Sequence, residues 1–321
     1  MSIQAQTSTA YDAMNRAAAF VRRPQPGVLA LAGDDAAEFL QGQLTNDIEA
    51  LQPGDGCYAA LLTPKGKIRA DMLVTCTADA LLIVTAAPLV PLLQHTIDTF
   101  RIGYFFTSED RTQGTALVGV IGPSARETVA QAIGDAPRDA EGANAVTDTP
   151  DGPLIAIRTQ LGVNVLGPRA AVDALVERLT AAGVPEADTA AAEILRVERA
   201  VPAFGMEFDE NTIPGEAGLN ARAVSFEKGC YVGQETVARM HYKGHPNRVL
   251  RTLQADLPLT PGAPVAAADG RELGKVGTAV VSPVYGPLAL AILRREADAG
   301  DTVDAGGVPA RVKDAPIGGN N

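Results

Sequence analysis

The feature that most constrains the fold is a succession of short strands and helices that runs through two blocks and then stops near residue 248. The first block predicts strands at 28–32, 57–62, 68–76 and 80–85, and helices from residue 36 and at 88–100. The second block predicts strands at 115–121, 154–158 and 162–166, and helices at 124–133 and 171–182. Helices interleaved with antiparallel strand pairs are typical of α+β domains of the split β-α-β kind.

The pattern changes from residue 249 onward. Short apolar runs at 249–253, 275–281, 288–293 and 308–312 alternate with glycine and proline. Strands of this length and spacing predict a small β-barrel or sandwich. We therefore expect an α+β protein with two split β-α-β type domains and a separate C-terminal β-domain.

Charge and cysteine content exclude several classes of protein. The 321 residues include 38 acidic and 27 basic side chains, a net charge of −11, which disfavours nucleic-acid binding. The first thirty residues lack the apolar core of a signal peptide, and Pro88 and Pro91 interrupt the most apolar stretch, so we expect a cytoplasmic protein without a membrane span. The three cysteines lack C-x-x-C spacing and predict neither a disulfide framework nor a thiolate zinc site.

One segment is unlike the rest of the chain. Residues 222–251 include six basic and two acidic side chains, a local charge of +4, and they contain the element KGCYVGQE at 228–235. A solvated basic face and a pocket for a small anion both fit this charge. Gly229 and Gly233 allow unusual backbone angles around Cys230, and Lys228 nearby would favour the thiolate, so a reactive thiol is one interpretation. A small buried apolar cysteine is the other.

Three motifs together resemble a known family. They are RVERAVP at 196–202, IPGEAGL at 213–219 and VSFEKGCYVGQE at 224–235. In this order they resemble the YgfZ family, folate-binding proteins related to the aminomethyltransferase of the glycine cleavage system and to mitochondrial iron-sulfur assembly factors. Weaker matches, FLQGQLTND at 39–47 and LTPKGKI at 62–68, extend the resemblance over most of the chain.

The resemblance implies an aminomethyltransferase-like ring of three domains around a central hole. Two of the domains are α+β and the third is a C-terminal β-barrel. We expect residues 1–50 to combine with 115–205, and residues 51–114 to combine with 206–248, which carry the KGCYVGQE element. Residues 249–321 then form the barrel.

The implied ligand is tetrahydrofolate or another reduced folate. A carboxylate accepts the paired N–H donors of the pterin ring, and the resemblance gives this role to Glu216. A guanidinium is the best partner for the carboxylates of the glutamate tail, and Arg248, with Arg239 as the alternate, lies where the family has an arginine. Lys228 and Tyr231 complete the expected folate contacts. An ordinary surface salt bridge is the competing interpretation for each arginine.

Asp71 is the residue that favours an enzymatic function. Aminomethyltransferases use an aspartate in the strand after their glycine-rich hairpin, and Asp71 falls at that position. The surrounding residues 66–70 depart from the usual paired glycine and paired acidic pattern of those enzymes. An exposed strand residue without a catalytic role is therefore the alternative.

A metal site is also conceivable, with Cys230, His241 and His245 as three ligands. The two histidines are four residues apart, as in metal-binding helices. However, Gly244 and Pro246 break such a helix, no fourth ligand is evident, and the basic neighbours disfavour a cation. We expect no metal.

Three functional hypotheses follow. The first is a folate-binding accessory protein, with Cys230 as its functional thiol, that supports iron-sulfur cluster assembly or repair through client or assembly proteins. The second is a tetrahydrofolate-dependent one-carbon transferase or demethylase that uses Asp71. The third is an interaction module with a vestigial pocket. In each case we expect a monomer that binds neither nucleic acid nor membrane.

Overall fold

The computed structural model describes residues 3–317, with side chains described from Thr9 onward. The helices are α1 (Ile3–Arg16), α2 (Ala36–Gln43), α3 (Val90–Phe100), α4 (Ala125–Ile133), α5 (Arg169–Ala181), α6 (Thr189–Glu198), α7 (Asn220–Ala223) and α8 (Gln234–Tyr242). The first ten strands are β1 (Ala19–Arg22), β2 (Pro26–Ala32), β3 (Gly56–Leu62), β4 (Ile68–Cys76), β5 (Leu81–Ala86), β6 (Thr107–Asp110), β7 (Thr115–Ile121), β8 (Asn144–Thr147), β9 (Leu154–Thr159) and β10 (Gly162–Pro168). The remaining strands are β11 (Arg248–Ala255), β12 (Pro264–Ala266), β13 (Glu272–Ser282), β14 (Gly286–Arg294), β15 (Thr302–Ala305) and β16 (Val308–Lys313).

The chain divides into two compact units. The first unit comprises residues up to Leu62 together with Ala70–Ala192 and Arg222–Val232. The second unit comprises Thr63–Arg69, Glu193–Ala221 and the described residues from Gly233 onward. None of the helices within residues 3–317 is long and apolar enough to cross a membrane.

The first unit holds two five-stranded sheets, with strand orders β3-β4-β5-β2-β6 and β1-β7-β10-β9-β8. In the first sheet, Leu29 and Leu31 of β2 and Phe39 and Leu40 of α2 are buried in one core. In the second sheet, Val118 and Val120 of β7 alternate toward α4 and α5. Burial of every second residue of a strand gives each sheet one apolar face for its helices.

The two sheets of the first unit are joined in two places. Val84 of the first sheet is buried with Ile157 and Leu166 of the second. Elsewhere Asn144 of β8 donates two hydrogen bonds of 2.9 Å from its side-chain amide, to the carbonyls of Asp55 and Cys76. Where Asn144 joins the two sheets, their backbones lie very close together. This is possible because residues 56 and 142 are glycines without a Cβ atom.

The second unit contains a closed six-stranded barrel with the order β11-β14-β13-β12-β15-β16. Its interior is filled by small and branched apolar side chains, among them Leu253, Val276 and Leu293. This confirms the predicted C-terminal β-barrel, whose first strand begins at Arg248. Closure leaves the six strands without a free edge.

The sheets differ from the expected grouping of residues 1–50 with 115–205. Strand β1 joins β7 of the second sheet as expected. Strand β2, however, pairs with β5 and β6, and α2 packs on the same sheet. Pro24, between β1 and β2, has no N–H to extend a ladder, and the chain passes there from one sheet to the other. Apolar periodicity predicts that a strand exists but does not fix its partner.

The close approach at residue 56 gives a stability prediction. A Cβ at Gly56 would lie 2.2 Å from the carbonyl oxygen of Gly142 and 2.6 Å from that of Val74, so backbone would have to move. We expect Gly56→Ala to lower the free energy of unfolding by about 2 kcal/mol. The matched control is Gly42→Ala in α2, which has open space and a gain of up to about 1 kcal/mol in helix propensity. Urea unfolding followed by circular dichroism measures both, and equal effects would contradict the prediction.

Candidate functional site

The segment 222–232 of the first unit is held by one buried ammonium group. Lys228 Nζ donates hydrogen bonds to the carbonyl oxygens of Gln41, Leu44 and Asn46 at 2.6, 2.7 and 2.8 Å. Carbonyls at the end of a helix such as α2 lack partners in the helix itself, and a cation there is favourable. Burial lowers the pKa of Lys228 to about 8. Its three N–H donors are all used by the backbone, so Lys228 has a structural role.

Further hydrogen bonds hold the first residues of segment 222–232. The amide of Asn46 donates to the carbonyls of Tyr58 and Arg222, both at 2.9 Å. The hydroxyl of Thr45 is fully buried, donates to the carbonyl of Ala223 and accepts from the N–H of Ala60. The FLQGQLTND residues therefore hold the KGCYVGQE residues in position.

The three thiols have different surroundings. Cys230 is exposed, whereas Cys57 and Cys76 are half-buried and pack against the core of the first sheet. Burial raises the pKa of Cys57 to about 12 and also raises that of Cys76. The expectation that Lys228 activates Cys230 does not follow from the geometry, because the lysine donors are already occupied.

Tyr231, next to the exposed thiol, points inward. It is buried, its ring lies 5.1 Å from Lys228 Nζ, and burial raises its pKa to about 12. A cation over an aromatic face is stabilised by the quadrupole of the ring. Tyr231 therefore stabilises the buried lysine and helps to hold Cys230 outward.

Asp71 lies in a polar cluster of the first unit. Its Oδ2 accepts a 2.6 Å hydrogen bond from the hydroxyl of Tyr58. The guanidinium of Arg222 stacks 4.2 Å from the Tyr58 ring and is held by Glu141 through two hydrogen bonds of 2.6 and 3.0 Å. Burial raises the pKa of Asp71, and the Tyr58 hydrogen bond and the Arg222 charge oppose that rise.

Sequence reasoning missed three members of this cluster. They are Tyr58, Glu141 and Arg222. Counting outward from a turn at 64–67 places residue 60 opposite Asp71 and Tyr58 two residues further along on the same face, so the hairpin pattern held a signal for the first of them. Glu141 lies between the predicted helix at 124–133 and the predicted strand at 154–158, in a stretch that also includes β8. No local pattern links it to Arg222.

The second unit brings together Glu216 and Arg248. Arg248 Nε and Nη2 donate to the two carboxylate oxygens of Glu216, each at 3.0 Å. The N–H of Ile213 also donates to Glu216 Oε2 at 3.0 Å, and Lys67 Nζ lies 3.9 Å from the same oxygen. Glu216 is buried, and its hydrogen bonds raise the pKa of Arg248. Two residues predicted to contact opposite ends of a ligand therefore bind each other.

The remaining candidates lie on or near α8. Arg239 is exposed on that helix, and His241 and His245 are exposed at and beyond its end. Within residues 3–317 no group of three or more histidine, cysteine, aspartate or glutamate side chains is arranged to hold a metal ion. The constellation of Cys230, His241 and His245 thus has no counterpart in the described part of the chain.

Comparison with known proteins assigns the chain to a family. Residues 10–228 match the model of the GCVT N-terminal domain, and residues 248–316 match that of the CAF17 C-terminal β-barrel domain. The chain belongs to the GCVT domain family. The crystal structure of the glycine cleavage system aminomethyltransferase T from Bartonella henselae has the same fold, with a TM-score of 0.84 and 22% identity over 97% of this chain and 89% of that one.

Similar sequences agree with the resemblance stated above. The tRNA-modifying protein YgfZ of Vibrio vulnificus is 27% identical, over 74% of this chain and 70% of its own. An aminomethyltransferase of Nostoc is 28% identical, over 88% of this chain and 78% of its own. A putative chloroplastic transferase of Arabidopsis thaliana is 28% identical over 83% of this chain, which spans 63% of that relative. The predicted relation to YgfZ proteins and aminomethyltransferases is confirmed.

The Asp71 cluster of this GCVT-family chain generates a titration prediction. Replacing Tyr58 by phenylalanine removes a donor to the charged carboxylate, so Tyr58→Phe should raise the pKa of Asp71 further. Arg222→Gln should act in the same direction, because it removes a positive charge. The Cγ carbon shift of Asp71, followed by NMR against pH, measures both changes. Tyr231→Phe, which alters no partner of Asp71, is the control, and an unchanged or lower pKa in Tyr58→Phe would refute the hydrogen bond.

Proposed function

We propose that the protein binds tetrahydrofolate and acts as an accessory protein in the assembly or repair of iron-sulfur clusters. The observation that carries this proposal is an exposed thiol, Cys230, on a segment held by a buried lysine. A cysteine used only for packing would be turned inward like most isolated thiols. A fixed, accessible thiol suits contact with another protein or with a sulfur- or iron-containing group.

The residues of the second unit fit one end of a folate. Glu216 Oε1 accepts a single hydrogen bond, from Arg248, so it retains acceptor capacity for an N–H of the pterin ring. Arg248 is half-exposed, and Arg239 is exposed on α8. A guanidinium suits the carboxylates of the glutamate tail. Because Arg248 is paired with Glu216, which we assign to the pterin end, Arg239 is the arginine that we assign to the tail. Bound tetrahydrofolate would supply N5 as the atom that carries a one-carbon unit.

The names of related proteins are compatible with this proposed role. The family includes proteins named for tRNA modification and others named aminomethyltransferase. With a net charge of −11, support of other enzymes is a better fit than direct binding of RNA. Iron-sulfur client proteins, a monomeric state and a cytoplasmic location belong to the same proposal.

A one-carbon transferase is the second candidate, and Asp71 is the observation in its favour. A carboxyl group whose pKa is raised by burial, and which is held by a tyrosine hydroxyl, is suited to acid-base or electrostatic work. Asp71 as a residue is half-buried. Turnover of tetrahydrofolate with an aminomethyl thioether, whose carbon is already at the oxidation level of formaldehyde, would give methylenetetrahydrofolate, ammonia and a thiol without an oxidant. Such turnover, lost in Asp71→Asn, would support this candidate over the first.

Ligand binding gives the first functional prediction. Tetrahydrofolate at a hundredfold excess over its dissociation constant should add about 2.7 kcal/mol to stability, because it binds only the folded chain. Differential scanning fluorimetry should show a rise of several degrees. Glu216→Gln should remove most of that rise, while Glu235→Gln, an exposed carboxylate of α8, should retain it. No rise in the unaltered protein would refute folate binding and leave the interaction-module hypothesis.

The glutamate tail separates the roles of the two arginines. Triglutamylated tetrahydrofolate should bind more tightly than the monoglutamate, and added salt should reduce the gain. Arg239→Ala should lose much of the gain but still bind tetrahydropterin, which has no tail. If Arg248→Ala loses the gain and Arg239→Ala does not, the tail contact belongs to Arg248, and Glu216 beside it does not bind the pterin.

Cys230 gives the third functional prediction. It should react with iodoacetamide faster than Cys57 and Cys76, because it is exposed and burial raises the pKa of the other two. Cys230→Ala should keep the melting temperature and the folate affinity near those of the unaltered protein. Cells that depend on the variant should lose activity of iron-sulfur enzymes, whereas Cys76→Ala should restore it. Full complementation by Cys230→Ala would show that the thiol is not functional.

A further inference from the structure

An exposed apolar surface lies after helix α3 in the first unit. Phe100, Ile102 and Phe105 are 56%, 87% and 82% exposed, and we call these three residues the 100–105 surface. Single exposed apolar side chains are ordinary, but three large ones within six residues form a contiguous patch that soluble proteins usually bury. None of the three takes part in the clusters around Asp71, Lys228 or Glu216.

The loop that carries this surface is rigidly held. The alternate residues Tyr104 and Phe106 point inward, with ring centroids 5.5 and 5.0 Å from that of Phe39. The N–H of Phe105 donates to Asp35 Oδ2 at 2.7 Å. Arg101 donates to the carbonyl of Phe106 and lies 4.8 Å from its ring. These contacts hold the backbone of the loop in one conformation, which lowers the entropy cost of binding a partner.

The surroundings of the 100–105 surface are acidic. Asp34, Asp35 and Glu38 lie at the start of α2, whose first residues contact the loop through the Asp35 hydrogen bond. Asp98 is exposed on the last turns of α3. The basic residue of the loop, Arg101, is turned onto Phe106. Carboxylates next to exposed apolar side chains favour a partner that presents apolar and basic side chains together.

We propose that the 100–105 surface docks a partner protein that presents apolar side chains flanked by lysine or arginine. A second copy of the chain is disfavoured, because a two-fold contact would place the carboxylates of one copy against the same carboxylates of the other. An anionic bilayer is disfavoured by the same repulsion. A basic amphipathic segment suits both the exposed apolar side chains and the carboxylates next to them. The docking site is independent of folate binding and of Cys230.

The test uses the full chain and synthetic probes. A fluorescein-labelled fourteen-residue peptide of leucine and lysine, patterned as an amphipathic helix, is titrated with the protein and followed by anisotropy. Ile102→Ser/Phe105→Ser should weaken binding by at least about tenfold, because truncating central interface residues costs more than 1 kcal/mol each. The control is Val281→Ser/Val284→Ser, which removes two exposed apolar side chains of the second unit and should bind as the unaltered protein does. Melting temperatures of both variants check that each is folded.

Charge is tested separately from apolar contact. Asp34→Asn/Glu38→Gln should weaken binding and flatten its dependence on salt, and a leucine and glutamate peptide of the same pattern should not bind. The proposal fails if the unaltered protein does not bind the leucine and lysine peptide, or if Ile102→Ser/Phe105→Ser binds it undiminished. It also fails if sedimentation shows a dimer that this double variant abolishes, because the occupant is then a second copy.

Discussion

A buried ammonium group is the interaction on which the candidate site depends. Lys228 reaches three carbonyls at and after the end of α2, and these acceptors offset the cost of taking its charge out of water. An apolar residue of the same length would leave the carbonyls without partners. The lysine of the KGCYVGQE element is thus explained by structure, and the exposed position of Cys230 is a consequence of it.

The charged groups of the other candidate clusters, two in the first unit and one in the second, are also paired before any ligand arrives. Glu216 is bound by Arg248, Asp71 by Tyr58, and Arg222 by Glu141. A ligand that binds Glu216 has to share or replace these partners, so part of its interaction energy is spent in the exchange. Such sites favour specificity over raw affinity, since only a ligand with matching donors restores what is lost. In the function that we propose, the paired N–H groups of the pterin edge would be the matching donors for Glu216.

Much of the architecture could be predicted because it depends on local patterns. The strand at 115–121 has the bounds of β7, and the hairpin at 57–62 and 68–76 matches β3 and β4. Strand partners could not be read in the same way. Strand β2 was grouped with the wrong sheet, and β8 was hidden in a stretch of alanine, aspartate and glycine, because its pairing with β9 depends on contacts distant in sequence.

Sequence motifs identified residues of the candidate clusters but not the contacts between them. Motif resemblance singled out Glu216, Arg248, Asp71 and Cys230, and it could not show that Glu216 and Arg248 bind each other. Spacing along a chain carries no information about a contact between residues 32 positions apart that meet only in the fold. For the same reason the role expected of Lys228 was activation of a neighbouring thiol, whereas its actual partners lie more than 180 residues earlier.

One segment of the first unit, residues 222–232, positions groups around both Asp71 and Cys230. At its beginning, segment 222–232 places Arg222 on the ring of Tyr58, whose hydroxyl holds Asp71. Further along, the same segment is anchored by Lys228 and exposes Cys230. A displacement of this segment would remove Arg222 from Tyr58 and alter the charge around Asp71. The exposed thiol and the carboxylate therefore depend on the same segment, and loss of the Arg222 charge from this cluster would raise the pKa of Asp71 further.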